Sequence, residues 1–343
     1  MKGRLSSEFN NQNPDPNFLS EIIIMKYVNF CPLYRQLYKK SQAGLDKEIM
    51  IKWIVDLSEK LFPIYEDINK QLLFSKRVFA GCLPVKHYSA EKNVNNKYRV
   101  EIYIQDLQTA GFTLPSCIWL SYPVDWSYKK SKTNIDDFQG VLQIPYDSNF
   151  SSVFKGDKVT RAASMKSLLD KFINLDRANS TSSIRKIITM IYDLYSIEDS
   201  ISRSLPSERL KVRKESSLPK LLLMRDLLES KDNMINEKLC QGIINDWDEF
   251  SLFCHNGFVD IDNSVYNKIV DDLFPRFCNG HNLYFSDKRM GGAASVFYSL
   301  LDTCRINNID PKQWLTYVIQ QVPFVSKNDI QKLSPMRFKD TDS

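Results

Sequence analysis

The sequence predicts a mixed α/β chain in which one sheet is set between helical stretches. Three observations predict it. Apolar residues recur at three- and four-residue spacing from Phe18 to Phe74. Short β-branched and aromatic runs, separated by Asn, Gly and Pro, fill residues 76–150. Helical spacing then returns from about 159 and holds almost to the end. At 343 residues the chain can bury a sizeable core and hold two structural units.

The elements follow in order. Residues 1–17 are Asn-, Ser- and Pro-rich and read as a disordered tail. A helical lead-in covers 18–75, with "FLSEIIIMKYVNF", "PLYRQLYKKSQ" and "KEIMIKWIVDLSEKLFPIYEDINKQLL". Pro32 suits a first helical turn and Pro63 a kink. The sheet occupies 76–150 through "RVFAGCLPVKHY", "YRVEIYIQDL", "SCIWLSYPV" and "GVLQIPY", which makes at least four strands. The short link "DLQTAGFTLP" predicts that its second and third strands are antiparallel neighbours. Pro145 ends the last run, because proline has no N–H to give a ladder.

A helical insertion follows at 151–250, carried by "MKSLLDKFINL", "SIRKIITMIYDLYSIEDSI" and "LPKLLLMRDLLES". Residues 251–325 hold the helix "IDNSVYNKIVDDLF", the loop "NGHNLYFSDKRMGG" and two last helices, and 326–343 read as a flexible tail. Asp310-Pro311 is a helix start, an N-cap followed by proline at the first position.

Composition narrows the class. Hydrophobic residues make up 43% and charged residues 25%, with a net charge of +5, as in ordinary soluble proteins. The seven cysteines are scattered and form no CxxC pair, which argues against a disulfide framework and a zinc knuckle and suits a reducing cytoplasm. The three histidines, His87, His255 and His281, are too far apart to resemble a metal box. No signal-peptide pattern and no apolar run of membrane length is present, so a cytoplasmic protein without a membrane partner is expected. The densest basic stretch is 203–231, with Arg203, Arg209, Lys211, Arg213, Lys214, Lys220 and Arg225. Together with Lys288 and Arg289 it is the candidate phosphate-tracking surface; a solvated helix pair is the plainer reading.

The order of helices, sheet, long helical insertion and one more helix is that of a ribonuclease-H-like nuclease core with an insertion before its last catalytic helix. The segments themselves resemble the insertion-sequence-66 family of bacterial DDE transposases over nearly the whole chain. "MKYVNFCPLYRQ" and "KWIVDLSEKLFPIYEDINKQLL" look like that family's lead-in helices. "PSCIWLSYPVD" and "FQGVLQ" are similar to strands leading to its second acid. "MIYDLYSIED", "ERLKVRKESSLPKLL" and "IINDWDEFSLFCHNGFVDIDN" look like its insertion and the return to the core. The tail "HNLYFSDKRMGGAASVFYSLLDTCRINNIDPKQWLTYVIQQVP" is the most specific piece. The resemblance implies that the cysteine-rich metal site and helix-turn-helix of full-length members lie outside this chain, which is expected to start close to the catalytic core.

In that family three carboxylates hold two divalent metal ions for DNA strand cleavage and joining. The resemblance places their positions at Gly81, Pro145 and Asn267, none of them an acid. In "GCLPV", Gly81 stands for the first Asp and Cys82 for the Glu that follows it; Cys82 otherwise reads as a small apolar residue. In "LQIPYDSNF" Pro145 stands for the second Asp, and in "IDNSVYNKIV" Asn267 stands for the Glu. Two further family segments are altered, "SMKS" at Ser164 to Ser167 and "NGHN" at Asn279 to Asn282, where His281 replaces a basic residue.

The implied function is a catalytically inactive, transposase-derived protein that binds DNA, transposase subunits or a second copy of itself and needs no cofactor. The alternatives are an active transposase using Mg²⁺ on the displaced acids Asp147 and Asp271, and a decaying reading frame. A two-residue shift moves a carboxylate roughly 6–7 Å along a strand, too far for a metal pair.

Overall fold

The computed structural model describes residues 14–40, 45–88, 95–121, 135, 137–145, 158–230, 235–273, 284–285, 288–326 and 329–338. Three helices lead in: α1 (Pro16–Tyr27), α2 (Leu33–Lys40) and α3 (Lys47–Leu73). The first begins at Pro16, inside the stretch read as tail, because Asp15 caps it and accepts from the N–H of Asn17 at 2.9 Å and of Phe18 at 3.1 Å. Asp46 caps α3 in the same way, 2.8 Å from the Ile49 N–H. Helix α3 runs unbroken through Pro63. Its buried residues Met50, Trp53, Ile54, Leu57, Leu61, Ile64, Ile68 and Leu72 keep one helical face against the core.

The strands are β1 (Arg77–Tyr88), β2 (Asn95–Gln105), β3 (Cys117–Ser121), β4 (Gly140–Ile144), β5 (Val159–Ala163) and β6 (Tyr284–Phe285). Their order is β3-β2-β1-β4-β5, with β6 beside the far end of β1. Strands β2 and β3 are antiparallel, as the short link between them predicted, and so are β1 and β2, while β4 runs parallel to β1 and to β5. Strand β5 corrects the sequence reading, which placed 159–163 in the helical insertion. Its five residues lead directly into a helix, so no alternation long enough to register separates the two periods.

The insertion consists of α4 (Met165–Ala178), α5 (Ser182–Ser200), α6 (Pro206–Val212), α7 (Leu218–Glu229), α8 (Glu237–Asn245) and α9 (Trp247–Ser251). A π turn at Arg213–Ser217 joins α6 to α7. Then come α10 (Ser264–Leu273), α11 (Lys288–Ile306) and α12 (Pro311–Gln321). Asp310 caps α12, as read from sequence, at 2.7 and 2.9 Å from the N–H groups of Lys312 and Gln313. The residues read as a flexible tail are partly packed: Ile330 and Leu333 are buried, and the Trp314 indole donates to the Leu333 carbonyl at 3.0 Å.

Two apolar clusters form the interior. One gathers the lead-in, β1–β3 and α10–α12; the other gathers β5 and the insertion helices. Strand β4 serves both, Leu142 and Ile144 in the first and Val141 in the second, because alternate strand residues face opposite sides. Gly111 lets the turn after β2 approach the insertion. Its φ is +78°, and a Cβ there would lie 2.7 Å from the Arg203 carbonyl oxygen.

Candidate functional site

The parallel register pairs Arg77 with Val141 and Phe79 with Gln143. Gly81 follows Phe79 by two residues on β1, and Pro145 follows Gln143 by two, just past β4. Helix α10 packs on Gly81. A Cβ on Gly81 would lie 2.0 Å from the Tyr266 Oη and 2.4 Å from its Cζ. Tyr266 is buried, while the next residue, Asn267, faces solvent. Gly81 on β1 therefore meets α10 at the residue before Asn267, and Pro145 lies just past the end of β4.

What these positions offer chemically is small. Gly81 and Pro145 carry no side-chain oxygen, and Asn267 carries a neutral amide. Cys82 is half-buried and packs against the main apolar cluster. Among the described residues no three His, Cys, Asp or Glu side chains converge as metal ligands. Asp271 is exposed on α10. Asp147 and Asn279–Asn282 with His281 lie outside the described residues. The "SMKS" segment opens α4 beside the residues that enter α10, with the Met165 N–H donating to the Ile261 carbonyl at 3.0 Å.

The approach to α10 is held by a residue the sequence did not mark. Gln143 is fully buried on β4; its amide donates to the carbonyls of Asp260 at 2.8 Å and Asp262 at 2.9 Å. It also accepts from the Asp260 N–H at 3.2 Å. Tyr195 of α5 donates to the Asp262 carboxylate at 2.6 Å. A glutamine inside an otherwise apolar strand was the available signal, since a buried amide must find partners.

The basic stretch divides in two. Arg209 and Arg213 are 3% and 0% exposed and form part of an internal network, which removes them from any phosphate-facing surface. Arg213 meets Glu198 at 2.5 Å and donates to the carbonyls of Phe253 and Val259 at 2.8 and 3.0 Å. Arg209 meets Asp260 at 2.6 Å, and Arg77, at the start of β1, reaches the same carboxylate at 3.1 Å. Burial pushes the Asp260 carboxyl up, but Arg77 and Arg209 outweigh it and hold the group below its ordinary value. The physical reason for the correction is pairing: these guanidiniums are taken inside where the Asp260 and Glu198 carboxylates and backbone carbonyls meet them. Arg225 is half-buried and pairs with Glu229 at 2.8 Å, and Lys220 with Asp193 at 2.7 Å. Arg203, Lys211, Lys214 and Arg289 are exposed, and Lys288 opens α11.

Comparison with known proteins decides the family. The model described as "Transposase IS66 family" matches residues 12–281, and that of the "IS66 C-terminal element" matches 299–336. The chain belongs to the IS66 transposase family. It is 21% identical to the uncharacterized protein y4qI of Sinorhizobium fredii, over 95% of this chain and 63% of that one. It is 22% identical to y4hP of the same organism, over 94% of this chain and 62% of that one. The chain thus spans under two thirds of the length of these relatives. A shorter match, 42% identical over 43 residues, is to the uncharacterized protein YuaK of Escherichia coli, covering 12% of this chain and 46% of that one.

The IS66 C-terminal element starts at 299, inside α11, where a polar stripe seals the edge of the sheet. Ser299 Oγ, Thr303 Oγ1 and Asn307 Oδ1 accept from the N–H groups of Leu120, Ile118 and Ser116 at 2.9, 3.1 and 3.0 Å. Four helical residues rise about 6.0 Å and two strand residues about 6.6 Å, so the two ladders stay in step over three rungs. No helix among the described residues is long and apolar enough to cross a membrane.

Proposed function

We propose that this IS66-family chain is a catalytically silent transposase derivative that keeps a ribonuclease-H-like core as a scaffold and binds DNA, alone or with transposase subunits. The strand order β3-β2-β1-β4-β5, with only β2 reversed, supports the ribonuclease-H-like reading. One feature carries the silent reading: the positions read as the family's acids hold Gly81, Pro145 and Asn267, and the Tyr266 phenol lies where a side chain at 81 would begin. These residues do not fit a pair of divalent metal ions, which need several anionic oxygens. The free cysteines among the described residues suit a reducing cytoplasm.

DNA contact on this reading is through backbone phosphates, from the exposed Arg203, Lys211 and Lys214 rather than from the buried Arg209 and Arg213. The test is duplex binding across a salt series together with a strand-cleavage assay in Mg²⁺ and in Mn²⁺. Expected are weak binding that falls steeply with salt, a shallower salt slope when Arg203, Lys211 and Lys214 are changed to Glu, and no cleavage. Metal-dependent cleavage abolished by Asp147→Ala or Asp271→Ala would overturn the silent reading in favour of the displaced acids. No binding at low salt would remove DNA as the partner.

A further inference from the structure

We infer that Tyr266 is a stopper. Its ring has turned the meeting point of β1 and α10 into apolar core, so acids restored at the three positions would still hold no metal while the ring remains. The inference rests on the reading of Gly81, Pro145 and Asn267 as acid positions and adds what now fills the space at the first of them.

Gly81 carries the first part. Its backbone lies outside the left-handed region, so the strand conformation itself admits any residue. The nearest obstacle is the ring: an added Cβ would lie 2.0, 2.4 and 3.0 Å from the Oη, Cζ and Cε1 of Tyr266. Two of these approaches are closer than real Cβ contacts come and the third is tight, so the ring must move before a side chain fits at 81. Glycine at 81 is therefore a packing partner of the phenol, not a turn residue.

The second part is where the ring belongs. Tyr266 is 6% exposed and joins the same cluster as Ile102, Gly81's partner across β2, and Val270, one turn along α10. Asn267, the next residue, points to solvent. Helix α10 thus turns an aromatic residue toward β1, with Asn267 one step round the helix at its exposed edge. A carboxylate at 81 would have to expel a core aromatic and then be desolvated beside Ile102 and Val270.

The test compares Gly81→Asp/Pro145→Asp/Asn267→Glu with the same triple variant carrying Tyr266→Ala. The readouts are loss of the free Mn²⁺ electron-paramagnetic-resonance signal and the Tm shift on adding Mn²⁺. Expected is no Mn²⁺ uptake with Tyr266 present, and uptake with a Tm rise of several degrees once it is replaced by alanine. The inference is overturned if the triple variant takes up Mn²⁺ equally well with the tyrosine in place, or if the variant lacking it takes up none. Should the triple variant not fold, Gly81→Ala gives the same answer. It should lower Tm strongly while Tyr266 is present and little in a Tyr266→Ala background; equal losses in both backgrounds overturn the inference. Mn²⁺ uptake by the unaltered chain would instead overturn the silent reading proposed above.

Discussion

At Asp302 burial and charge are poorly reconciled. It is 1% exposed on α11, and its Oδ2 has no hydrogen-bond partner among the described residues. Burial pushes its carboxyl up to about 7, and Arg305, at 2.9 Å, offsets only part of that. Because the folded state then holds a proton that the unfolded chain releases near pH 4, stability is greatest in acid. It falls as pH rises from about 4 to about 7, and the penalty is complete above that. Asp302→Asn should flatten the dependence of Tm on pH between 5 and 8 and raise stability at pH 8 by an amount on the order of a few kcal/mol. A thermal melt series across that range checks it; an unchanged slope would mean the carboxyl is ionised in the fold. The sequence showed Asp302 only as one polar residue in an apolar helix. At this scale, residues defined by what they lack were readable, such as Gly81 and Pro145 against a carboxylate. Residues defined by what packs on them, such as Tyr266 on Gly81, were not, since no local pattern joins two positions 185 apart in the sequence.

At the scale of elements, α11 and β3 depend on each other. An edge strand leaves a row of N–H groups open to pairing with another chain, and natural folds cover or interrupt it. Here a helix covers it with side-chain oxygens four residues apart, Ser299, Thr303 and Asn307. Ser299→Val with Thr303→Val keeps the helix and much of the volume but leaves the buried N–H groups of Leu120 and Ile118 without acceptors. Each costs about 1–3 kcal/mol. The double variant should unfold at clearly lower urea concentration and elute partly as oligomer in gel filtration, whereas Ser299→Thr should do neither. The stripe was present in the sequence as "SLLDTCRIN" and could have been read from hydroxyl and amide residues at four-residue spacing on an otherwise apolar helix. Strands β1 to β4 were legible because they alternate or run apolar between Gly, Asn and Pro. Strand β5 was not, because "VTRAA" is neither apolar throughout nor set off by turn residues from the helix it enters, so its pairing with β4 defines it more than its own pattern.

Over the whole molecule, the order of helices, sheet, insertion and final helices was readable from periodicity, while the bond between insertion and sheet was not. That bond is Arg77, Arg209 and Arg213 set against Asp260 and Glu198, drawn from segments far apart in the chain. Charge in a sequence reads as surface, and only the assembled interior shows which charges have been taken inside. The same separation governs how the protein is made. The rungs that close β3 join residues 179, 185 and 191 apart. At roughly 5–20 residues per second, the ribosome needs about 10–40 seconds to deliver α11 after β3 has emerged. During that interval the nascent chain carries a bare, apolar strand edge, and neighbouring ribosomes on one messenger bring several such edges together. Slowly read synonymous codons between 200 and 290 should therefore lower the yield of dispersed protein while leaving the Tm of the purified chain unchanged. An unaltered yield would show that something else shields the edge until the C-terminal helix arrives.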